Sequence, residues 1–139
     1  MSKKAKNKDT QILNAAAKHF AINGLGGARV DEIAVEAGVN KATLYYRIGA
    51  KADIYDRIFI DMLDNVLENM SERVSSAKTA EDKFKAYARS IAKVCSSNDY
   101  ISPFILREVA SGGAHMSEKA LAKMKQVRLA LSDILELGV

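Results

Sequence analysis

Cysteine, proline, tryptophan and histidine are nearly missing from these 139 residues, and each scarcity excludes something. The single cysteine, Cys95, rules out an internal disulfide framework. Set among Ile91, Ala92 and Val94, it reads as a small core residue with no neighbour that would stabilise a thiolate. The two histidines, His19 and His115, lie far apart without metal-ligand spacing, so both read as surface residues and no metal site is expected. One proline, eight glycines and no alternating β-branched run point to an all-α protein. No apolar run approaches the roughly 18 to 20 residues of a membrane span. The opening MSKKAKNKDT is basic but lacks the apolar segment of a signal peptide, so a cytoplasmic protein without a membrane partner is expected. No Ser/His/Asp set is present, and Gly24-Leu25-Gly26-Gly27 lacks the strand that precedes a phosphate-cradling loop. The sequence therefore predicts no catalytic residue, no cofactor and no enzyme.

What the chain does have is 48% apolar residues, enough for a core, and an uneven charge distribution. Residues 1–51 hold nine Lys/Arg against four Asp/Glu, and residues 52–139 hold twelve against thirteen. All of the net +4 charge thus lies in the first part, as expected where a nucleic-acid module joins a neutral partner domain. Lys3, Lys4, Lys6 and Lys8 read as a mobile basic arm, either solvated or close to phosphates.

The basic part centres on Val30 to Lys51, VDEIAVEAGVNKATLYYRIGAK. Val30, Ile33, Ala34 and Ala37 recur at helical spacing, Gly38 supplies a left-handed stop, and Val39 fills the corner. Asn40 is an N-cap for a second helix, Lys41 to Arg47, which points Leu44 inward with the nearby Ile48. Lys41, Ala42, Thr43, Tyr45, Tyr46 and Arg47 are left outward. Two short helices joined at a glycine corner form a helix-turn-helix, whose second helix enters the major groove of DNA. The outward set suits that role, with cations for phosphates, hydroxyls for phosphates or base edges, and a small alanine for close approach. An ordinary helical hairpin with a solvated polar face is the plainer reading of the same pattern.

These residues also carry a likeness to a known family. Ile12-Leu13-x-Ala15-Ala16, Phe20, Asn23-Gly24, Ile33-Ala34, Ala37-Gly38-Val39, Lys41-x-Thr43-Leu44-Tyr45 and Lys51 resemble the TetR family of transcriptional repressors over about Thr10 to Phe59. The resemblance implies a three-helix DNA-binding domain in residues 1–51. A long helix would join it to a small helical ligand-binding and dimerisation domain in 52–139. It further implies a double-stranded, palindromic DNA operator, an unidentified small-molecule effector that releases the repressor, and a homodimer. On the matching positions, DNA contacts fall to Arg29, Lys41, Ala42, Thr43, Tyr45, Tyr46, Arg47 and Lys51. Three positions depart from the family. Arg29 stands where Thr or Ser usually caps the first element, Asp31 where a basic residue is common, and Ala50 where Ser or Asn is common. Asp31 would repel a phosphate. Asp53 in the first turn that follows partly compensates for the missing oxygen at Ala50 through the helix dipole.

Along the rest of the chain, Asp9 or Thr10 is expected to cap the first helix, which Asn23-Gly24 ends. Ile54, Tyr55, Ile58, Phe59, Met62, Leu63, Val66, Leu67, Met70 and Val74 form a helical stripe of about six turns. Thr79 with Asp82 marks the start of helix five, which buries Phe84, Tyr87, Ala88, Ile91 and Val94. Ser102-Pro103 reads as a cap followed by Pro at the first helical position, and Ser111-Gly112-Gly113 as the stop. Ser117 caps a last helix with Leu121, Met124, Val127, Leu131, Ile134 and Leu135 on one face. A ligand pocket is expected to draw on Met62, Met70, Tyr87, Phe104, Ile105 and Met124, with Arg89 and Arg107 available to an anionic ligand. Plain core packing explains the apolar members equally.

The sequence holds about seven helices and ends before the family's final helix pair, so dimerisation is expected through the last helix. A different class of function follows if it does not: a shortened or adaptor-like helical protein that acts by protein–protein association with little DNA binding of its own.

Overall fold

A computed structural model describes residues 3–138, with the side chains of residues 4–6 left aside. Seven helices and no strand are found among the described residues. They are α1 (Lys3–Gly27), α2 (Val30–Ala37), α3 (Lys41–Arg47), α4 (Lys51–Ser76), α5 (Ala80–Cys95), α6 (Ile101–Ala110) and α7 (Glu118–Leu137). None is long and apolar enough to cross a membrane. The all-α class expected from the sequence is the one observed.

The chain forms two compact units. The first comprises Met1–Ile58 with Asn98–His115, and the second Phe59–Ser97 with Met116–Val139. The unit that holds the helix-turn-helix is therefore larger than residues 1–51, because the start of α4 and all of α6 pack with α1.

Aromatic side chains explain that packing. Phe20 meets Tyr55 edge-on with ring centroids 5.0 Å apart, and Tyr55 meets Phe104 at 5.0 Å. Ile12, Ala16, Ile33, Leu44 and Ile54 complete an interior almost closed to solvent. Arg107 fastens α6 to the end of α1: its Nε donates to the Ala21 carbonyl at 3.2 Å and its Nη2 to the Ile22 carbonyl at 3.1 Å. Gly24 makes room for this, since a Cβ there would lie 2.8 Å from Arg107 Nη1. The expected stop at Gly24 is a kink with φ 73° and ψ 174°, which is not the left-handed cap, and one further turn runs on to Gly27.

Glu108 is buried in the same unit. It accepts hydrogen bonds from Tyr55 Oη, from Ser111 Oγ at 2.9 Å and from the His115 backbone N–H at 3.0 Å, with His115 Nδ1 3.0 Å away. Burial pushes this carboxyl upward, but its hydrogen bonds with Tyr55, the His115 backbone, Ser111 and the His115 ring outweigh burial and hold it below 4.5. Tyr55 is pushed well above 10, first by burial and then by its bond to the Glu108 carboxylate. His115 lies at the surface as expected, 46% exposed, with its ring against Glu108, whereas the His19 ring is only 16% exposed between Glu32 and Glu36.

Two helix starts differ from the sequence expectation. Helix α1 begins at Lys3, so the basic run is helical and is no loose arm. The side chains of Lys4 and Lys6 lie outside the described residues. Asp9 is buried within α1 and caps nothing. Helix α6 starts at Ile101, which leaves Ser102 inside its first turn and Pro103 third, still where no N–H partner is needed.

The second unit packs Met62, Leu63, Val66 and Met70 of α4 with Ala86, Tyr87, Ser90 and Val94 of α5 and Ala120 and Ile134 of α7. Its helix starts are those the sequence predicts: Thr79 accepts from the Asp82 N–H, and Ser117 from the Ala120 N–H. Cys95 is half-buried. Phe84, expected inside, is 47% exposed, and Ala88 is exposed as well. The buried arc of α5 runs through Ala86, Tyr87, Ser90 and Val94, and at 100° per residue both fall outside it. On α7, Leu121 and Leu135 likewise leave the shared face and are exposed.

Candidate nucleic-acid interface

The corner between α2 and α3 is built from backbone bonds. Gly38 is left-handed, with φ 72° and ψ 29°. Its N–H reaches the Val35 carbonyl at 3.2 Å, and the Val39 N–H reaches the Ala34 carbonyl at 3.1 Å. This double bond pattern closes the end of α2 and needs a residue that tolerates positive φ. Asn40 then caps α3, its Oδ1 accepting from the Thr43 N–H at 2.7 Å. Leu44 is the one buried residue of α3 and is fully enclosed.

With Leu44 inward, the opposite face of α3 is presented outward. Tyr46 is 92% exposed and Tyr45 44%. Lys41 and Ala42 are exposed and Thr43 is half-buried. Two phenols, a threonine hydroxyl, a lysine and a small residue therefore share a single helix of seven residues.

Three of the cations expected beside them, Lys41, Arg47 and Lys51, are engaged by the protein. Lys41 Nζ lies 2.8 Å from Asp31 Oδ1. Their hydrogen bond and mutual charge hold Asp31 below the usual carboxylate value and Lys41 above the usual amine value. Asp31 is thus neutralised by Lys41, which tempers the repulsion expected from its sequence position. Arg47 does not lie outward: its Nε is 3.5 Å from Asp9 Oδ1, with the two side chains 19% and 9% exposed. Lys51 Nζ donates to the Gly26 and Ala28 carbonyls at 3.4 and 3.3 Å, fastening the α1–α2 connection to the start of α4. Arg29 is exposed at the N-cap position of α2 and gives that helix no side-chain cap bond. At Ala50 the backbone N–H donates to Asp53 Oδ2 at 2.9 Å, so Asp53 satisfies this helix start by a direct bond as well as by its charge.

Sequence reasoning singles out Arg47 and Lys51 but misses their partners. Asp9 is 38 positions from Arg47, and the Gly26 and Ala28 acceptors are backbone atoms that no motif marks. The one available signal for Asp9 is an acid within a run of lysines.

The expected ligand residues fall into both units. Phe104 belongs to the aromatic cluster of the first unit, Arg107 is committed to the end of α1, and Ile105 beside them is half-buried. In the second unit Met62, Met70 and Tyr87 are buried and Met124 half-buried. Arg89 is exposed there and lines an open polar groove with Arg73, Ser76, Asp82 and Lys85.

Comparison with known proteins agrees with this geometry. A family model described as "Bacterial regulatory proteins, tetR family" matches residues 12–58, from the middle of α1 into α4. The fatty acid metabolism regulator protein of Bacillus subtilis is 33% identical over 81 residues, covering 58% of this chain and 42% of its own length. The HTH-type transcriptional activator FasR of Mycolicibacterium smegmatis is 29% identical over 76 residues, covering 55% of this chain and 35% of its own. The matched stretches thus span less than half of these curated relatives. The structure of the fatty acid degradation regulator FadR from Bacillus halodurans has the same fold, with a TM-score of 0.72 over 93% of this chain and 69% of that one at 24% identity. With its glycine corner, its capped second helix and its seven-helix fold in agreement, residues 12–58 of this chain match the DNA-binding part of the tetR family of bacterial regulatory proteins, and the fold is that of its structural relative.

Proposed function

We propose that the chain is a sequence-specific DNA-binding transcriptional regulator, a homodimeric repressor of a palindromic operator that a small-molecule effector releases. One observation carries the reading: α3 is capped by Asn40, anchored by Leu44 and turns Tyr45 and Tyr46 outward. Exposed aromatic residues on a seven-residue helix do nothing for the core, but they fit base edges and sugar–phosphate walls in a major groove. The contact set comprises Arg29, Lys41, Ala42, Thr43, Tyr45 and Tyr46, with Lys51 and the N-terminus of α4 beside a phosphate. Arg47 is left out of it because Asp9 engages its side chain.

The test is the double substitution Tyr45→Ala/Tyr46→Ala, measured by fluorescence anisotropy on a selected duplex at fixed salt. Affinity should fall by more than tenfold while the melting temperature holds. An unchanged affinity would remove α3 from the interface.

The dimer rests on α7, whose Leu121, Leu129, Leu135 and Leu137 are all exposed. A sedimentation mass of two chains at micromolar concentration supports it, and a mass of one chain counts against it. The effector reading rests on the buried Met62, Met70 and Tyr87 of the second unit, where flexible thioethers can repack around an apolar guest. The Bacillus subtilis relative is named for the regulation of fatty acid metabolism, so a long-chain acyl compound is the first probe. It should lower the affinity of the purified protein for its duplex.

The same exposed leucines favour a second reading, a helical adaptor that associates through α7 and binds DNA poorly. A well-folded protein that dimerises but selects no duplex would establish it.

A further inference from the structure

We propose that Asp9 is a positioning residue for α3, and that Arg47 acts through Asp9 to set the direction of that helix instead of contacting a phosphate. The proposal rests on the DNA-reading role argued above for α3.

Helix α3 has seven residues, too few to be stable alone, and one buried side chain. A single apolar anchor at Leu44 holds the helix against its support but leaves its axis free to swing. The direction of that axis decides which base edges its outward side chains reach, so a second fixed point is needed. Arg47 supplies it in the last turn, three residues beyond Leu44. Its Nε lies 3.5 Å from Asp9 Oδ1 on α1, an oxygen closed to solvent with no hydrogen-bond partner.

Energetics favour keeping the pair closed. A buried carboxylate is unfavourable unless an opposite charge faces it. If Arg47 left to meet a phosphate, Asp9 would be stranded in its enclosed position. The contrast within α3 points the same way, since Tyr46 is 92% exposed and the adjoining Arg47 side chain 19%. Arg47 is thus an inward strut beside an outward reader.

The pair makes an unusual prediction for Asp9. Removing a negative charge beside a DNA-binding face should ordinarily tighten binding. If Asp9 positions α3, its neutralisation should weaken binding instead.

The experiment measures affinity for a selected duplex across a salt series, using the full chain as wild type, Asp9→Asn, Arg47→Gln and the double variant, with thermal melts of each. We expect each single variant to bind about tenfold more weakly, in line with coupling between contacting residues. The salt slope should stay at the wild-type value, and the double variant should bind no worse than the weaker single. The proposal is overturned if Asp9→Asn binds as tightly as wild type or more tightly. It is also overturned if Arg47→Gln lowers the salt slope by about one, the mark of a lost phosphate contact. Should a single variant melt below the assay temperature, the double variant, which strands no buried charge, decides through its own slope: unchanged supports the proposal, lower by about one overturns it. A wild type that binds no duplex would sink the DNA-reading role and this proposal together, whereas normal wild-type binding with either contrary result would sink the positioning role alone.

Discussion

In the first unit, Phe20, Tyr55 and Phe104 interlock as rings, and three residues surround a buried carboxylate with hydrogen bonds. In the second, buried Phe59 and Tyr87 sit among mostly aliphatic and methionine side chains, and the polar group enclosed with them is Ser90, whose hydroxyl bonds to its own helix at Ala86. The difference concerns how much shape each interior specifies. Rings with edge-on contacts and a fully bonded carboxylate admit few alternative packings. Unbranched thioethers and aliphatic side chains admit many at similar energy. A helix that must present side chains to a fixed partner needs the first kind of support, and a cavity that must open for a guest needs the second.

Substitution should separate the two interiors. Phe20→Ala removes a fully enclosed ring and should cost about 3–5 kcal/mol in urea unfolding. Met70→Leu in the second unit, a near-isosteric exchange, should cost less than about 1.5 kcal/mol. Equal losses would mean that the two interiors are equally specified.

A smaller effect is expected at Glu108, where Gln keeps the shape and removes the charge. Its folded carboxyl sits below the ordinary 4.5, so its contribution to stability is present above about that pH and is lost as pH falls through the folded value. Glu108→Gln should therefore be destabilised by roughly 2 kcal/mol at neutral pH, the scale of losing hydrogen bonds to a charged group. It should also show a flatter acid limb than wild type in stability measured from pH 6 to 3. An unchanged acid limb would mean that the network is not a source of acid sensitivity. The smallest effect should come from Phe84→Ser. This ring is half outside the second unit, and its loss should alter stability by no more than about 0.5–1 kcal/mol.

Local chemistry is legible in the sequence. Gly38, Asn40, Thr79 and Ser117 each act on the backbone within five residues, so a reading of spacing alone places them correctly. The all-α class follows from helical periodicity in the same way. Long-range charge pairing is not legible. Asp9 has the look of a cap because acids favour helix starts, but α1 extends back to Lys3 and Asp9 turns inward to Arg47. His115 is the surface residue its sequence suggests, but nothing nearby in sequence marks Glu108 as buried under it. Arg107 suits an anionic ligand by its chemistry, yet its acceptors are carbonyls more than eighty residues earlier. Phe84 shows the opposite failure: its hydrophobicity suggests burial, but its angular position on α5 puts it outside.

Selection of bound duplexes from a random pool tests most directly whether α3 reads DNA sequence. Purified protein should be used at one near-physiological salt concentration, because phosphate contacts make affinity steeply salt-dependent. An enriched palindrome is expected, with half-sites about one helical turn, roughly 34–36 Å, apart or a multiple of that. Folded protein that enriches no sequence would contradict a sequence-reading role for α3.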